Sequence, residues 1–326
     1  NDGTVARWRL TVAPKPTDPL VHTSIKSFVC FTGKGSELIG RSADGEVVIA
    51  DGYRPESIKP IELLGGGNRT VAWCAEKNLL ATENTKSIRV WSRDDDALID
   101  LPHEPGLTLL LFLDEGSLLI AVNFGRELVA WDTETWERAD ARAHPWSVIL
   151  DDFAKNILPQ YNDIDAVTVS PNEQLIGIGT WSGGVVWYDL NDGQRLAIER
   201  AHRSYVNSLT FSSDGKKAAS CSSGGHVVLW DTSTQIPTRI ATIRAPRGGV
   251  SSVSFSPDGS RLVTKSNSGI KVWDVKTRRQ LLTLPFEYAA AFFPDGNGLL
   301  GSGEDGLFVW RAPALSEIEH EDSLIP

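Results

Sequence analysis

The chain has 326 residues, of which 41% are hydrophobic and 23% are charged, and this composition excludes a disordered or collagen-like protein. Acidic residues outnumber Lys and Arg by 42 to 32, and the resulting charge of -10 would repel a nucleic-acid backbone. The longest apolar run, residues 107–113, is too short to cross a bilayer, and the N-terminus has no signal-peptide pattern. We therefore expect a soluble, cytoplasmic protein that binds neither nucleic acid nor membrane.

The chain contains three cysteines and no methionine. Cys30, Cys74 and Cys221 are too few and too scattered for a disulfide framework or a zinc site, and each lies in a strand-like segment. We expect them to be buried structural thiols. The absence of an initiator Met leads us to expect part of a longer polypeptide or a processed product.

The first predicted element is a strand over Thr4–Val12, after which a pattern of about forty residues recurs seven times. Each copy has a strand with alternating apolar residues, a polar turn such as SSDG or SPDG, a second strand, and a β-rich run closing on Trp-Asp or a relative of it. The Trp position advances by 41, 40, 57, 42, 43 and 37 residues. The closing runs end near Asp51, Ser92, Asp132, Asp189, Asp231, Asp274 and Arg311. This order predicts an all-β protein.

The period, the SPDG-type turns and the terminal Trp-Asp pairs together resemble the WD40 repeat family over nearly the whole chain. The resemblance implies a seven-bladed β-propeller over residues 1–312, in which each repeat supplies the three inner strands of one blade and the outer strand of its neighbour. It also implies that Thr4–Val12 is the outer strand of the last blade and closes the ring. In the alternative interpretation, residues 1–10 end a preceding repeat, with Trp8 in the Trp position.

WD40 blades are often stiffened by a hydrogen-bonded network of a His, a Ser or Thr, an Asp and the Trp. By resemblance, partial copies of this network are His22, Ser42 and Asp44; His103 and Trp131; and His202, Ser222 and Trp230. Each His lies 28 positions before a Trp position, and Gly224 stands where the third copy would have its Asp. We predict a structural role for these residues, because a zinc site needs three or four converging ligands.

No motif in the chain predicts catalysis. The GSGEDG segment at residues 301–306 has the spacing of a dinucleotide fingerprint, but it leads into a strand and its acids would repel phosphate. No Ser lies in a nucleophile elbow, and no Cys has a His nearby in sequence. We therefore predict a protein that is not an enzyme and binds no cofactor or metal.

The interval of 57 marks an insertion at residues 145–162. Trp146, Ile149, Phe153 and Ile157 recur at helical spacing, which predicts a short amphipathic helix that ends at the following proline. In WD40 propellers such connections lie on the narrower top face, a common partner-binding surface. Two interpretations stay open: the apolar stripe packs onto the propeller, or it docks another domain or protein.

Other side chains are predicted on the top face by their place in the repeat. Trp181, for example, occupies a turn between second and third strands where a small polar residue is usual. Aromatic and Arg residues commonly dominate interface energetics. We predict partner-binding roles for Trp146, Phe153, Ile157, Tyr161, Trp181, Tyr205, Tyr288, Arg69, Lys86 and Arg247.

A short acidic tail, residues 313–326, follows the last repeat, and its opening WRAPALSEIE resembles the end of WD40 regions in large bacterial multidomain proteins. These observations favour a non-catalytic scaffold or sensor module that presents top-face loops to a partner protein or another domain of the same polypeptide. Two alternatives remain. A propeller hydrolase or oxidoreductase would need acids, His or metal ligands converging at the central channel, whereas an intramolecular regulatory domain would need no external partner.

Overall fold

The fold is a seven-bladed β-propeller. In the computed structural model, the strands of the described residues form seven antiparallel sheets, and the first strands of successive sheets lie side by side around the centre of the ring. The described residues are 25–42, 46–52, 54–61, 70–83, 87–103, 107–123, 128–140, 144–157, 164–245, 248–284, 290–303 and 306–311. The predicted all-β propeller of seven blades is confirmed.

Within each sheet the strands follow one another from the centre of the ring outwards. Blade 1 contains β1 (Ile25–Phe31), β2 (Glu37–Ser42), β3 (Val47–Asp51) and β4 (Arg54–Pro60), and blade 2 contains β5 (Val71–Cys74), β6 (Leu79–Glu83), β7 (Ser87–Ser92) and β8 (Leu98–Pro102). Blade 3 contains β9 (Leu107–Leu113), β10 (Leu118–Asn123), β11 (Leu128–Asp132) and β12 (Arg138–Ala139), and blade 4 contains β13 (Ile164–Val169), β14 (Leu175–Thr180), β15 (Gly184–Asp189) and β16 (Arg195–Arg200).

The remaining three blades repeat this order. Blade 5 contains β17 (Val206–Phe211), β18 (Lys217–Ser222), β19 (His226–Asp231) and β20 (Thr238–Arg244). Blade 6 contains β21 (Val250–Phe255), β22 (Arg261–Ser266), β23 (Gly269–Asp274) and β24 (Gln280–Leu284). Blade 7 contains, among the described residues, β25 (Ala290–Phe292), β26 (Gly298–Gly303) and β27 (Gly306–Arg311).

The core lies between the blades, because every sheet packs against two neighbours. On β15, for example, Val186 and Tyr188 join the apolar cluster shared with blade 3, whereas Val185 and Trp187 join the cluster shared with blade 5. Successive side chains of a strand point to opposite faces of its sheet, so a strand covered on both faces must be apolar at every position. This explains the continuous apolar runs that precede the Trp-Asp pairs.

Blades 1 and 7 close the ring through an apolar contact. Blade 1 has Ala50 at the position where most blades carry Trp. Phe293, from the turn between β25 and β26, is completely buried there, with its ring centroid 5.1 Å from that of Phe31. A Cβ on Gly52 would lie 2.6 Å from the Phe293 ring, so the glycine makes room for it. The predicted closing strand, Thr4–Val12, lies outside the described residues.

The predicted helix of the insertion is present as α1 (Pro145–Asp152), which continues into a π-helical segment, Phe153–Ile157. The His144 imidazole Nδ1 caps the helix by accepting a hydrogen bond from the backbone N–H of Trp146 at 3.3 Å. The stripe of Trp146, Ile149, Phe153 and Ile157 is at most 1% exposed, because it fills the groove between blades 3 and 4.

The position of this helix differs from the predicted top-face placement. The His144 side chain lies 3.8 Å from Asp114 in the β9–β10 turn, and a Cβ on Gly193 in the β15–β16 turn would lie 2.5 Å from the Pro145 carbonyl oxygen. Both turns lie at the end of the blades opposite to the β14–β15 turn. The outer strand β12 has only two residues, so the groove beside it is open, and burying the apolar stripe there removes that stripe from water.

We expect Phe293→Ala to lower the free energy of unfolding by about 3–5 kcal/mol, because it empties the closing contact between blades 1 and 7. Chemical denaturation followed by intrinsic fluorescence measures this change. Leu281→Ala, at a side chain that is 49% exposed on β24, is the control and should change the midpoint little. An unchanged midpoint for Phe293→Ala would show that the ring does not depend on this contact.

Candidate functional site

The structure brings together two of the aromatic residues predicted on the top face. We define the top face as the end of the propeller where the first strands begin and the second strands end, as the pairing of Ile164 with Thr180 shows in blade 4. Trp181 lies in the β14–β15 turn and Tyr205 immediately precedes β17. Their ring centroids are 5.8 Å apart with planes inclined at 62°, an edge-to-face pair. Trp181 is 48% exposed and Tyr205 is 53% exposed.

Backbone hydrogen bonds hold the loop that carries Tyr205 between two turns. The N–H of His202 donates to the carbonyl of Gly183 at 2.9 Å, and the N–H of Ser223 donates to the carbonyl of Tyr205 at 3.2 Å. Gly183 has φ +91°, and a Cβ there would lie 2.3 Å from the His202 carbonyl oxygen. Only glycine fits this approach, so the aromatic pair sits on a constrained backbone.

A buried polar network lies below this loop. The Trp230 indole Nε1 donates to the Ser220 hydroxyl at 3.0 Å, and the same hydroxyl lies 2.8 Å from the His202 Nε2. Burial, together with nearby His226 and Arg239, lowers the pKa of His202 to about 4, so the imidazole is neutral at pH 7. Its Ser partner differs from the predicted Ser222. Both serines point to the same face of β18, and only the three-dimensional register selects Ser220.

The network ends in polar atoms that have no hydrogen-bond partner among the described residues. His202 Nδ1, Ser204 Oγ and Ser222 Oγ are buried and make no hydrogen bond. A Cβ on Gly224 would lie 3.3 Å from Ser204 Oγ and 3.6 Å from Ser222 Oγ. A polar side chain at this position would therefore come within reach of both hydroxyl groups.

In blade 6, the residue at the position of Gly224 carries a side chain that contacts the preceding serine. There, Ser268 contacts the hydroxyl of Ser266, the counterpart of Ser222, at 2.8 Å. Gly224 therefore accounts for the unpaired Ser222 in blade 5, because the glycine has no group that could make the corresponding bond.

The family model described as "WD domain, G-beta repeat" matches residues 193–231 and 237–274. The first match covers the outer strand of blade 4 and the first three strands of blade 5, and the second covers the outer strand of blade 5 and the first three strands of blade 6. The seven sheets, six of them with four described strands and one with three, and the Trp–Ser–His network in blade 5 agree with that match. The chain is therefore a seven-bladed β-propeller that contains two repeats of the WD40 type.

The chain is similar to curated proteins named "Serine-threonine kinase receptor-associated protein". The protein of Homo sapiens is 24% identical over 216 residues, which cover 65% of this chain and 57% of the relative, and that of Bos taurus gives the same values. The protein of Dictyostelium discoideum is 23% identical over 234 residues, covering 70% of this chain and 73% of the relative. The chain thus spans little more than half the length of the mammalian relatives that it matches.

Other members of the predicted structural network are only partly described. The His103 and Trp131 rings lie 6.2 Å apart at 74°, so the structure brings this pair together edge to face. Ser42 Oγ accepts a hydrogen bond from the N–H of Glu46 at 3.1 Å. The remaining predicted members, His22 and Asp44, lie outside the described residues.

The structure describes five side chains of the predicted partner-binding set, and two of these five are exposed. Trp146, Phe153 and Ile157 belong to the core between blades 3 and 4, which matches the interpretation in which the stripe packs onto the propeller. We therefore do not assign these three to an interaction surface. Trp181 and Tyr205 remain exposed on the top face. The other predicted residues, Tyr161, Tyr288, Arg69, Lys86 and Arg247, lie outside the part of the chain that the structure describes.

A cluster of arginines around the loop that leads to Tyr205 was not predicted. Arg200, Arg203 and Arg239 line an open cleft of about 490 Å³ whose wall includes His202. Arg239 forms an ion pair with Glu199 at 2.9 Å. The cluster joins two outer strands and a loop, so no local motif marks it. Its signal in the sequence is the charge of residues 200–250, which contain seven Lys or Arg and two Asp.

Burial keeps the three cysteine thiols in their protonated form. Burial raises the pKa of the Cys30 and Cys221 thiols to about 12 and also raises that of Cys74, so all three stay protonated at pH 7. Across the described ranges no group of three or more His, Cys, Asp or Glu could hold a metal ion. No helix of the same ranges combines the length and apolar character that a membrane span requires.

We expect Gly224→Asp to raise the melting temperature by about 2 °C, since its carboxylate would accept hydrogen bonds from the unpaired groups around it. Gly224 does not have a positive φ, so a side chain is compatible with its backbone. Gly225→Asp is the matched control: Gly225 has φ +78°, and a Cβ there would lie 2.9 Å from the Gly248 carbonyl oxygen, so this variant should melt lower. A lower melting temperature for Gly224→Asp as well would contradict the account of the unpaired groups.

The low pKa of His202 predicts a pH-dependent stability. The unfolded His binds a proton near pH 6.5, whereas the buried imidazole binds one only near pH 4, so protonation favours the unfolded chain across this interval. We expect the melting temperature of the wild type to fall more steeply between pH 6.5 and 4 than that of His202→Gln. Calorimetry at several pH values measures both slopes, and identical slopes would rule out this contribution.

Proposed function

We propose that this WD40 propeller is a non-catalytic protein-interaction module that uses the top of blades 4 and 5 to hold a partner protein or another domain of the same polypeptide. The observation that carries the proposal is the exposed edge-to-face pair of Trp181 and Tyr205. Each ring stands on a loop fixed by backbone hydrogen bonds, so little conformational entropy is lost when a partner covers the pair.

The pair has enough unburied surface to anchor a contact. About half of each side chain is accessible, and a large aromatic residue buries on the order of 150–250 Å² when fully covered. Covering the exposed half of each ring would contribute about 2–3 kcal/mol at roughly 25 cal/mol per Å². Contributions of this size are typical of the few residues that dominate a protein interface.

The comparisons support the same class of function. The relatives in mammals and in Dictyostelium discoideum carry the name of a receptor-associated protein, which describes an association with another protein. We carry over only that class of role, a protein that acts by binding proteins. The receptor of the relatives is not transferred to this chain.

The proposal is tested by quantitative affinity capture from the native source with the wild type, Trp181→Ala and Tyr205→Ala. We expect at least one partner to be depleted about tenfold or more with both variants, the equivalent of a loss near 1.4 kcal/mol. Leu281→Ala removes a side chain of similar exposure from the outer edge of blade 6 and should retain the partners. Identical partner profiles for all four proteins, with unchanged melting temperatures, would refute the proposed surface.

A further inference from the structure

We propose that the segment recognised by the top of blades 4 and 5 is an acidic peptide with a large apolar side chain. This inference rests on the proposed function and specifies the chemistry of the partner. Its basis is a cleft lined by Arg200 and Arg203, which have no ion pair among the described residues, with Arg203 two residues before Tyr205 of the exposed Trp181–Tyr205 pair.

The charge of this sector is opposite to that of the whole chain. The chain carries -10, but residues 200–250 contain seven Lys or Arg against two Asp. Those two acids, Asp214 in the β17–β18 turn and Asp231 at the end of β19, lie at the end of blade 5 opposite to the top face. Lys216 and Lys217 lie at that opposite end as well, so the positive charge described near the top face comes from Arg200, Arg203 and Arg244.

Arg200 and Arg203, which line the cleft, are exposed and therefore accessible to a ligand. Arg200 ends β16, and Arg203 lies in the loop two residues before Tyr205; both are exposed. The structure gives neither guanidinium an ion pair among the residues that it describes, whereas Arg239 across the cleft is already paired with Glu199. A carboxylate between Arg200 and Arg203 would gain charge-assisted hydrogen bonds that water-exposed arginines lack in the free protein.

The same geometry favours a peptide over a nucleic acid. Nucleic-acid binding needs positive charge along several phosphates, whereas the chain carries -10 overall and this cleft offers only Arg200 and Arg203 without an ion pair among the described residues. Single-stranded bases also need open ring faces on which they can stack, whereas the Trp181 and Tyr205 planes are inclined at 62° and partly cover each other. A peptide with an apolar side chain next to carboxylates fits both features.

The test uses a capped pentapeptide, Glu-Asp-Phe-Asp-Glu, titrated into the full chain at low salt and followed by calorimetry. Its neutral counterpart, Gln-Asn-Phe-Asn-Gln, controls for the apolar contact. We expect the acidic peptide to bind about tenfold more tightly than the neutral one, and this difference to shrink as salt is added.

Charge-reversal variants locate the binding groups. Arg200→Glu and Arg203→Glu should each weaken the acidic peptide by about tenfold, and Trp181→Ala should weaken both peptides. Arg279→Glu, the same charge change at an exposed residue before β24 and away from the top face, should leave the affinity within about twofold. Melting temperatures equal to that of the wild type verify that the variants are folded.

Each other outcome overturns the inference in a recognisable way. Equal affinity for the two peptides, or no binding of either, would exclude an acidic ligand, and the proposed interaction surface would then be judged by the affinity capture alone. Tighter binding of a uridine decamer that is lost in Arg203→Glu would assign the arginines to nucleic acid. Partners that are lost with Trp181→Ala but retained with both arginine variants would leave the aromatic surface in place and remove the acidic specificity.

Discussion

The propeller depends on the apolar packing of every sheet against two neighbours. The Trp that closes a repeat packs into the cluster shared with the preceding blade, as Trp131, Trp230 and Trp273 show. Where blade 1 has Ala50 at this position, Phe293 of blade 7 enters the contact and occupies the volume that a Trp would take. A ring of this kind requires all of its interfaces to be filled, since one poorly packed interface would expose two sheet faces.

This rigid packing explains how the top face presents an exposed aromatic pair. The loop of residues 201–205 is fixed from below by the Trp230–Ser220–His202 network and from the sides by backbone hydrogen bonds to two turns. Blade 5 keeps these contacts although Gly224 leaves neighbouring polar atoms unpaired. These unpaired atoms lower the stability of blade 5, and they lie near the surface proposed for binding. Unsatisfied or strained groups are common at such sites.

The insertion shows where prediction from a repeat pattern ends. The helical spacing of Trp146, Ile149, Phe153 and Ile157 correctly indicates the helix, because that period reflects one buried face. Its location depends on β12, whose two residues leave an open groove between blades 3 and 4. The length of a neighbouring outer strand is not encoded in the stripe itself, so the sequence could not distinguish packing in this groove from display on the top face.

The sequence by itself determined the number of repeats, the all-β class and the helix of the insertion, because these follow from local periodicity. It also predicted the top-face positions of Trp181, in a turn, and Tyr205, at the start of an inner strand, from their places in the repeat. Only the tertiary structure decided that the two rings pair, that Ser220 rather than Ser222 contacts His202, and that Arg200 and Arg203 line one cleft with Arg239. These contacts join residues of different strands and blades. Their distances are set by strand register and by the packing of whole sheets, which no single segment of the chain specifies.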